Sequence, residues 1–183
     1  MKSKLKLPQE PKLNLNLKPL GKGSPEPKAK LGMTQKPGSR FGMNNYKHPD
    51  KYGEWLGYRV LSVDRKRFEA KVAITLRDDH LSPAGRVHGG VVSGFFDSAC
   101  GVAVFSTLGK NDFCSTVELK VNYFRPLFSG DKLTSRARVV FRGKRLCVVH
   151  AFLLRGNEKA PIAMATGTFN IVTNKMVTKI PKK

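Results

Sequence analysis

An α+β fold, with one long central helix wrapped by a five- to six-stranded antiparallel sheet, is predicted from three features of this 183-residue chain. From Gly89 to Leu108 it carries one ionisable carboxylate, Asp97, among small and apolar residues. A helix apolar on every side is the form expected inside a domain. The segments before and after that stretch alternate with a period of two, as half-buried strands do. Their connections are short and turn-like, which implies antiparallel neighbours. The expected order is β-β-α-β-β-β-β.

The chain divides into a tail (1–51), a domain (52–174) and a short basic end (175–183). Residues 1–51 hold seven of the eleven prolines and eleven lysines. Runs such as Leu13-Asn14-Leu15-Asn16-Leu17 alternate, but Pro8, Pro11 and Pro19 interrupt them. Such a composition buries too little apolar area to offset ordering entropy, and a disordered tail is expected. Gly57 to Val63 and Arg67 to Ile74 read as the first two strands, joined by the polar turn Asp64-Arg65-Lys66. Arg77 to Arg86 is a polar loop with turn residues. After the helix, Val117, Leu119, Val121 and Tyr123 alternate with Thr116, Glu118, Lys120 and Asn122 until Pro126. In the next strand Leu133, Ala137, Val139 and Phe141 share one face, and Gly143-Lys144 is a two-residue hairpin loop. Arg145 to Arg155 reads as a strand buried on both faces, and Ile162 to Val172 closes the sheet.

Composition narrows the function. The formal charge is +21, from 34 basic and 13 acidic residues. A field of that sign attracts phosphates, whether on nucleic acid, anionic lipid or a small ligand. The domain lacks aromatic residues interleaved with its basic positions, so no nucleic acid is expected as a partner. The Gly89–Leu108 stretch is long enough to cross a bilayer. Asp97 would cost roughly 3 kcal/mol there, however, and the flanks alternate like soluble strands, so no membrane span is expected. Cys100, Cys114 and Cys147 form no CxxC pair; neither a disulfide framework nor a metal site is expected, and a cytoplasmic setting follows. The N-terminal stretch lacks the apolar core of a secretory signal. With one Arg and many prolines it is also a poor mitochondrial presequence, which leaves that compartment the minor alternative.

The polar loop, His88-Gly89-Gly90 and an acid seven residues after the second glycine resemble the hotdog-fold acyl-CoA thioesterases. The likeness is to the branch related to phenylacetate-degradation (PaaI-like) and 4-hydroxybenzoyl-CoA thioesterases. Thr116-Val117-Glu118-Leu119-Lys120-Val121-Asn122-Tyr123-Phe124-Arg125-Pro126, the Gly130-Asp131 turn and the Arg142-Gly143-Lys144-Arg145 hairpin share it. The resemblance covers roughly Tyr52 to Val172. It implies a homodimer or homotetramer and an acyl-CoA substrate, with no cofactor beyond the coenzyme A of the substrate. It also implies that the Gly89 amide polarises the thioester carbonyl and that Asp97 acts as base or nucleophile. Thr116 matches the hydroxyl that some relatives place near the water. Ser82 stands where some relatives carry Asn, six residues before the histidine, and is a shorter donor.

Elementary chemistry agrees. A helix N-terminus offers unpaired N–H groups and a positive dipole end to a developing oxyanion. A carboxylate in an apolar site can activate water or attack directly. Gly89 and Asp97 lie eight residues apart, about 12 Å along a helix axis. One thioester carbon hardly reaches both groups of a single chain, so a site shared between subunits is expected. Gly90, Gly94, Asp97 and Gly101 form one stripe on which a partner surface can lie.

The remaining residues carry alternatives. Asp97 reads as functional against a paired buried acid. His88 is either a substrate contact or a cap; Gly89 and Gly90 are either substrate-binding or demanded by packing alone, a role compatible with carbonyl binding. Arg142, Lys144, Arg145 and, more weakly, Arg125 are candidates for the CoA phosphates, against a solvated hairpin. His150 reads as a satisfied core histidine. Ser93 lacks the spacing of a hydrolase elbow. The competing functions are a non-catalytic acyl-CoA-binding regulator and a hotdog dehydratase. The latter lacks an evident His–acid pair.

Overall fold

The computed structural model describes residues 50–110 and 112–173. Residues 1–49 of the expected 1–51 tail, and all of the expected 175–183 end, lie outside the described residues. Nine elements follow in order: α1 (Lys51–Leu56), β1 (Arg59–Asp64), β2 (Glu69–Thr75), a 3₁₀ turn (Asp78–His80), α2 (Gly89–Phe105), β3 (Asp112–Tyr123), β4 (Lys132–Arg142), β5 (Leu146–Arg155) and β6 (Ala163–Thr173). The strands form one antiparallel sheet in the order β1-β2-β4-β5-β6-β3. β3 is an edge strand twelve residues long, paired only with β6 among the described residues.

The sheet wraps α2 because both present apolar residues at their own periods. Val91, Val92, Phe95, Phe96, Ala99, Cys100 and Val102 to Phe105 of the helix are buried. They meet Val72 and Ile74 of β2, Leu133 and Ala137 of β4, Val149 and Leu153 of β5, and Phe169 and Ile171 of β6. Each fully buried Phe or Leu contributes about 1.5–3 kcal/mol relative to an exposed one. Gly167 lets β6 approach closely: a Cβ there would stand 2.8 Å from Phe169 and 3.6 Å from the Cys100 Cβ. Among the described residues no helix is long and apolar enough to cross a membrane.

Four expectations are corrected. Helix α1 is additional to the expected order, and Gly57, read as the start of a strand, is its left-handed C-cap (φ +80°). Helix α2 is not covered all round: Gly90, Ser93, Gly94, Asp97, Ser98 and Gly101 form an open or half-buried stripe. β5 is buried on one face only, where Cys147, Val149, Ala151 and Leu153 point inward. Leu146, His150 and Phe152 face outward, and His150 is therefore not a core histidine. Phe141 is 57% exposed because a register shift between Val139 and Phe141 turns it away from the core face. An extra residue in one strand does this by reversing the alternation beyond it.

Candidate active site

The loop before α2 is folded so that His88 and Gly89 arrive at one place. The buried His80 carbonyl accepts from the His88 amide at 2.8 Å, and Val87 N–H donates to Leu127 O at 2.9 Å. Ser82 is spent on this loop: its hydroxyl donates to Arg86 O at 2.9 Å. His88 is the N-cap of α2, its Nδ1 accepting from Gly90 N–H at 2.9 Å. That bond requires a neutral ring with its proton on Nε2. The next donor, the exposed Gly89 amide, has no partner among the described residues, as the first turn of a helix permits.

A cleft of about 380 Å³ opens beside it, with Arg86, Gly89, Val92, Tyr123 and Arg125 among its walls. The Tyr123 hydroxyl of β3 lies over the first turn of α2. It donates to Gly89 O at 3.2 Å and shares a 2.5 Å hydrogen bond with Ser93 Oγ. Arg125 is tied to the loop after β5, pairing with Glu158 at 2.7 Å and donating to Ala160 O at 2.8 Å.

Asp97 is half-buried on the open stripe, and exposed Thr116 of β3 donates to its Oδ1 at 2.7 Å. Among the described residues no donor is bonded to its other oxygen. Such a carboxylate can take a proton from water at Oδ2 while Thr116 fixes its orientation. The cysteines behind it are unsuited to nucleophilic work. Burial, with smaller contributions from Asp97 and Cys147, pushes the Cys100 thiol up to about 12, and burial also pushes Cys147 up to about 11.

The structure thus brings His88, Gly89 and Gly90 together at one end of α2, and Asp97 with Thr116 at its middle. Gly89 and Asp97 of one chain remain eight residues apart on a continuous helix. Of the hairpin cations, Arg142 reaches just past the far end of α2, where its Nε donates to Thr107 Oγ1 at 3.1 Å. Two residues beside the site have no role assigned from the sequence. Tyr123 reads as an alternating strand position within the stretch that shares the family likeness. Tyr52 stands at the edge of a segment dominated by lysine and proline.

Residues 84–162 match the model of the Thioesterase superfamily. A protein named "Putative esterase" from Archaeoglobus fulgidus is 30% identical over 119 residues, 65% of this chain and 73% of that protein. A mutant of the phenylacetic acid degradation protein PaaI from Thermus thermophilus superposes with a TM-score of 0.59 at 30% identity. The match covers 66% of this chain and 98% of that one. The PaaI protein of Escherichia coli, at 24% identity, has the same fold with a TM-score of 0.60, covering 67% of this chain and 85% of that chain. The helix wrapped by an antiparallel sheet is the hotdog fold of these proteins, and the chain belongs to the thioesterase superfamily. It is a hydrolase of that family.

Proposed function

We propose that this protein hydrolyses an acyl- or aryl-CoA thioester to the free acid and coenzyme A. The observation that carries this is the presence on one helix of a Thr116-oriented carboxylate, Asp97, and, at its start, the Gly89 amide, which has no partner among the described residues. Water attacks the thioester carbon and gives its proton to Asp97. The carbonyl electron pair moves to oxygen, which the Gly89 N–H and the helix dipole stabilise. Collapse of that intermediate breaks the C–S bond, and the leaving thiolate takes up a proton. His88 and Gly90 hold the amide in place. Ser82 and Arg125 shape the loops around the cleft. The reaction uses no cofactor of its own, since coenzyme A enters as part of the substrate.

The site is assembled from two subunits. Among the described strands β3 lies at the edge and pairs with β6, and its Val117 is 60% exposed, which suits pairing with the β3 of a second copy. An antiparallel pairing turns the two α2 helices in opposite directions, so Gly89 of one chain meets Asp97 of the other. Thr107 lies two residues past the end of α2, beyond Asp97 on the side away from Gly89. Arg142, which reaches Thr107, and its hairpin neighbours Lys144 and Arg145 hold the CoA phosphates, whose charge they complement.

Hydrolysis of a panel of acyl-CoAs, followed by thiol release, tests this. The wild type is expected to be active, and Asp97→Asn to lose two or more orders of magnitude in kcat. Binding of acyl-CoA without turnover would instead identify a non-catalytic regulator.

A further inference from the structure

Helix α1 is only six residues long, yet many contacts fix its place. Asp50 caps it, accepting from Gly53 N–H at 2.8 Å, and the Tyr58 hydroxyl donates to the same carboxylate at 3.0 Å. The Arg77 guanidinium donates to Trp55 O at 2.6 Å and Leu56 O at 3.3 Å. The Trp55 ring stands edge-on to buried His80, 5.5 Å between centroids. What these anchors position is Tyr52, whose phenol end is seated on the backbone of Gly94. A Cβ at Gly94 would collide with the hydroxyl and stand 2.8 Å from Cζ and 3.0 Å from Cε1. Only a glycine leaves this seat open.

Gly94 is one turn before Asp97, on the same stripe. Side chains on a helix lean toward its N-terminus, so the Asp97 carboxylate leans over the turn that Tyr52 covers. Thr116 holds Oδ1, which leaves Oδ2 for other partners, and the Tyr52 phenol lies close enough to feel the Asp97 charge. The hydroxyl has no hydrogen-bond partner among the described residues, and Tyr52 is 50% exposed, open to solvent and ligand. A bound water needs two to four polar partners, and this pair supplies an acceptor and a donor.

We infer that Tyr52 is a further catalytic residue, its hydroxyl donating a hydrogen bond to the water that Asp97 deprotonates. This rests on the reading above that Asp97 activates water. It also favours Asp97 as base over Asp97 as nucleophile. Water loses one proton to Asp97 as its oxygen bonds to the thioester carbon, and Tyr52 keeps its own proton throughout. Burial, then the neighbouring Asp97 and Asp50 charges, hold the phenol above its ordinary range, so it remains a donor at neutral pH.

Steady-state hydrolysis of an acyl-CoA by the full chain, in a double-variant cycle, tests the inference. Tyr52→Phe keeps the ring and is expected to lower kcat about ten- to a hundredfold with KM within about twofold, as loss of one hydrogen bond in a charged step predicts. Gly94→Ala expels the phenol and is expected to lower kcat to a similar degree. In a Tyr52→Ala background, Gly94→Ala should cost nothing further. An unchanged kcat in Tyr52→Phe overturns the role of Tyr52, and so does an equal loss from Gly94→Ala in both backgrounds. If Asp97→Asn is fully active, the reading of Asp97 itself falls, and the role of Tyr52 with it. Thermal melts of each variant identify any that fail to fold. Because Tyr52→Phe removes one exposed oxygen, it keeps the test decisive should Gly94→Ala unfold.

Discussion

The Thr116 hydroxyl donates to Asp97 Oδ1 at 2.7 Å, tying edge strand β3 to the middle of α2. The carboxylate is thereby held by the strand along which two copies are proposed to join. Activation of the acid and assembly of the site are then parts of one geometry.

Removing that hydrogen bond should affect turnover more than stability. Thr116→Val keeps the shape and deletes the donor. Its kcat is expected to fall about tenfold or more, since a hydrogen bond to a charged group is worth about 1.5–3 kcal/mol. Thr116→Ser should recover most of the loss. Equal activity in Val and wild-type enzymes would detach Thr116 from the reaction.

His88 is expected to act as a cap. His88→Ala removes the acceptor of the Gly90 amide and should lower unfolding free energy by about 1 kcal/mol, the usual cost of losing an N-cap. His88→Asn caps a helix through its own side-chain oxygen, and both stability and kcat/KM should return to within about threefold of wild type. Denaturant titration beside kinetics separates the roles. Stability regained with activity still lost would make His88 a substrate contact.

Buried His80 should make stability fall in mild acid. Burial, with the nearby Arg77 cation, lowers its pKa, and Asp79 only partly opposes this. The unfolded chain titrates near the ordinary value of about 6.5 and then binds a proton that the folded chain does not. Stability is therefore fully present above about pH 6.5 and is lost as pH falls from there toward the depressed folded pKa. Urea midpoints from pH 7.5 to 5.5 should decline in the wild type and decline less in His80→Gln. An identical slope in both would place the effect elsewhere.

How much can be read from the residues alone depends on how local the signal is. The six strands and α2 are legible because burial imposes periods of two and 3.6 on side chains. Two of the faults in the strand reading have related causes. Alternation cannot reveal a bulge, so it assigns Phe141 to the core face, and the apolar neighbours of His150 mimic burial on both sides. Asp97 stands out as the lone charge on its helix. Tyr52 does not, because its meaning depends on Gly94, forty-two positions away, lacking a Cβ. Tyr123 and Ser93 meet only after β3 is laid along α2, a tertiary contact that neither segment announces.

The central claim is that Gly89 and Asp97 serve one another across subunits, and complementation tests it most directly. Gly89 is the first residue of α2, where proline is tolerated and removes only an N–H that the helix does not use. A Cβ there meets Tyr123 at an ordinary 3.7 Å. Gly89→Pro and Asp97→Asn should each be folded and nearly inactive. Unfolded together and refolded as a 1:1 mixture, they should regain about a quarter of wild-type activity, because half the dimers are mixed and each carries one intact site. A mixture no more active than its two parents would contradict the shared site.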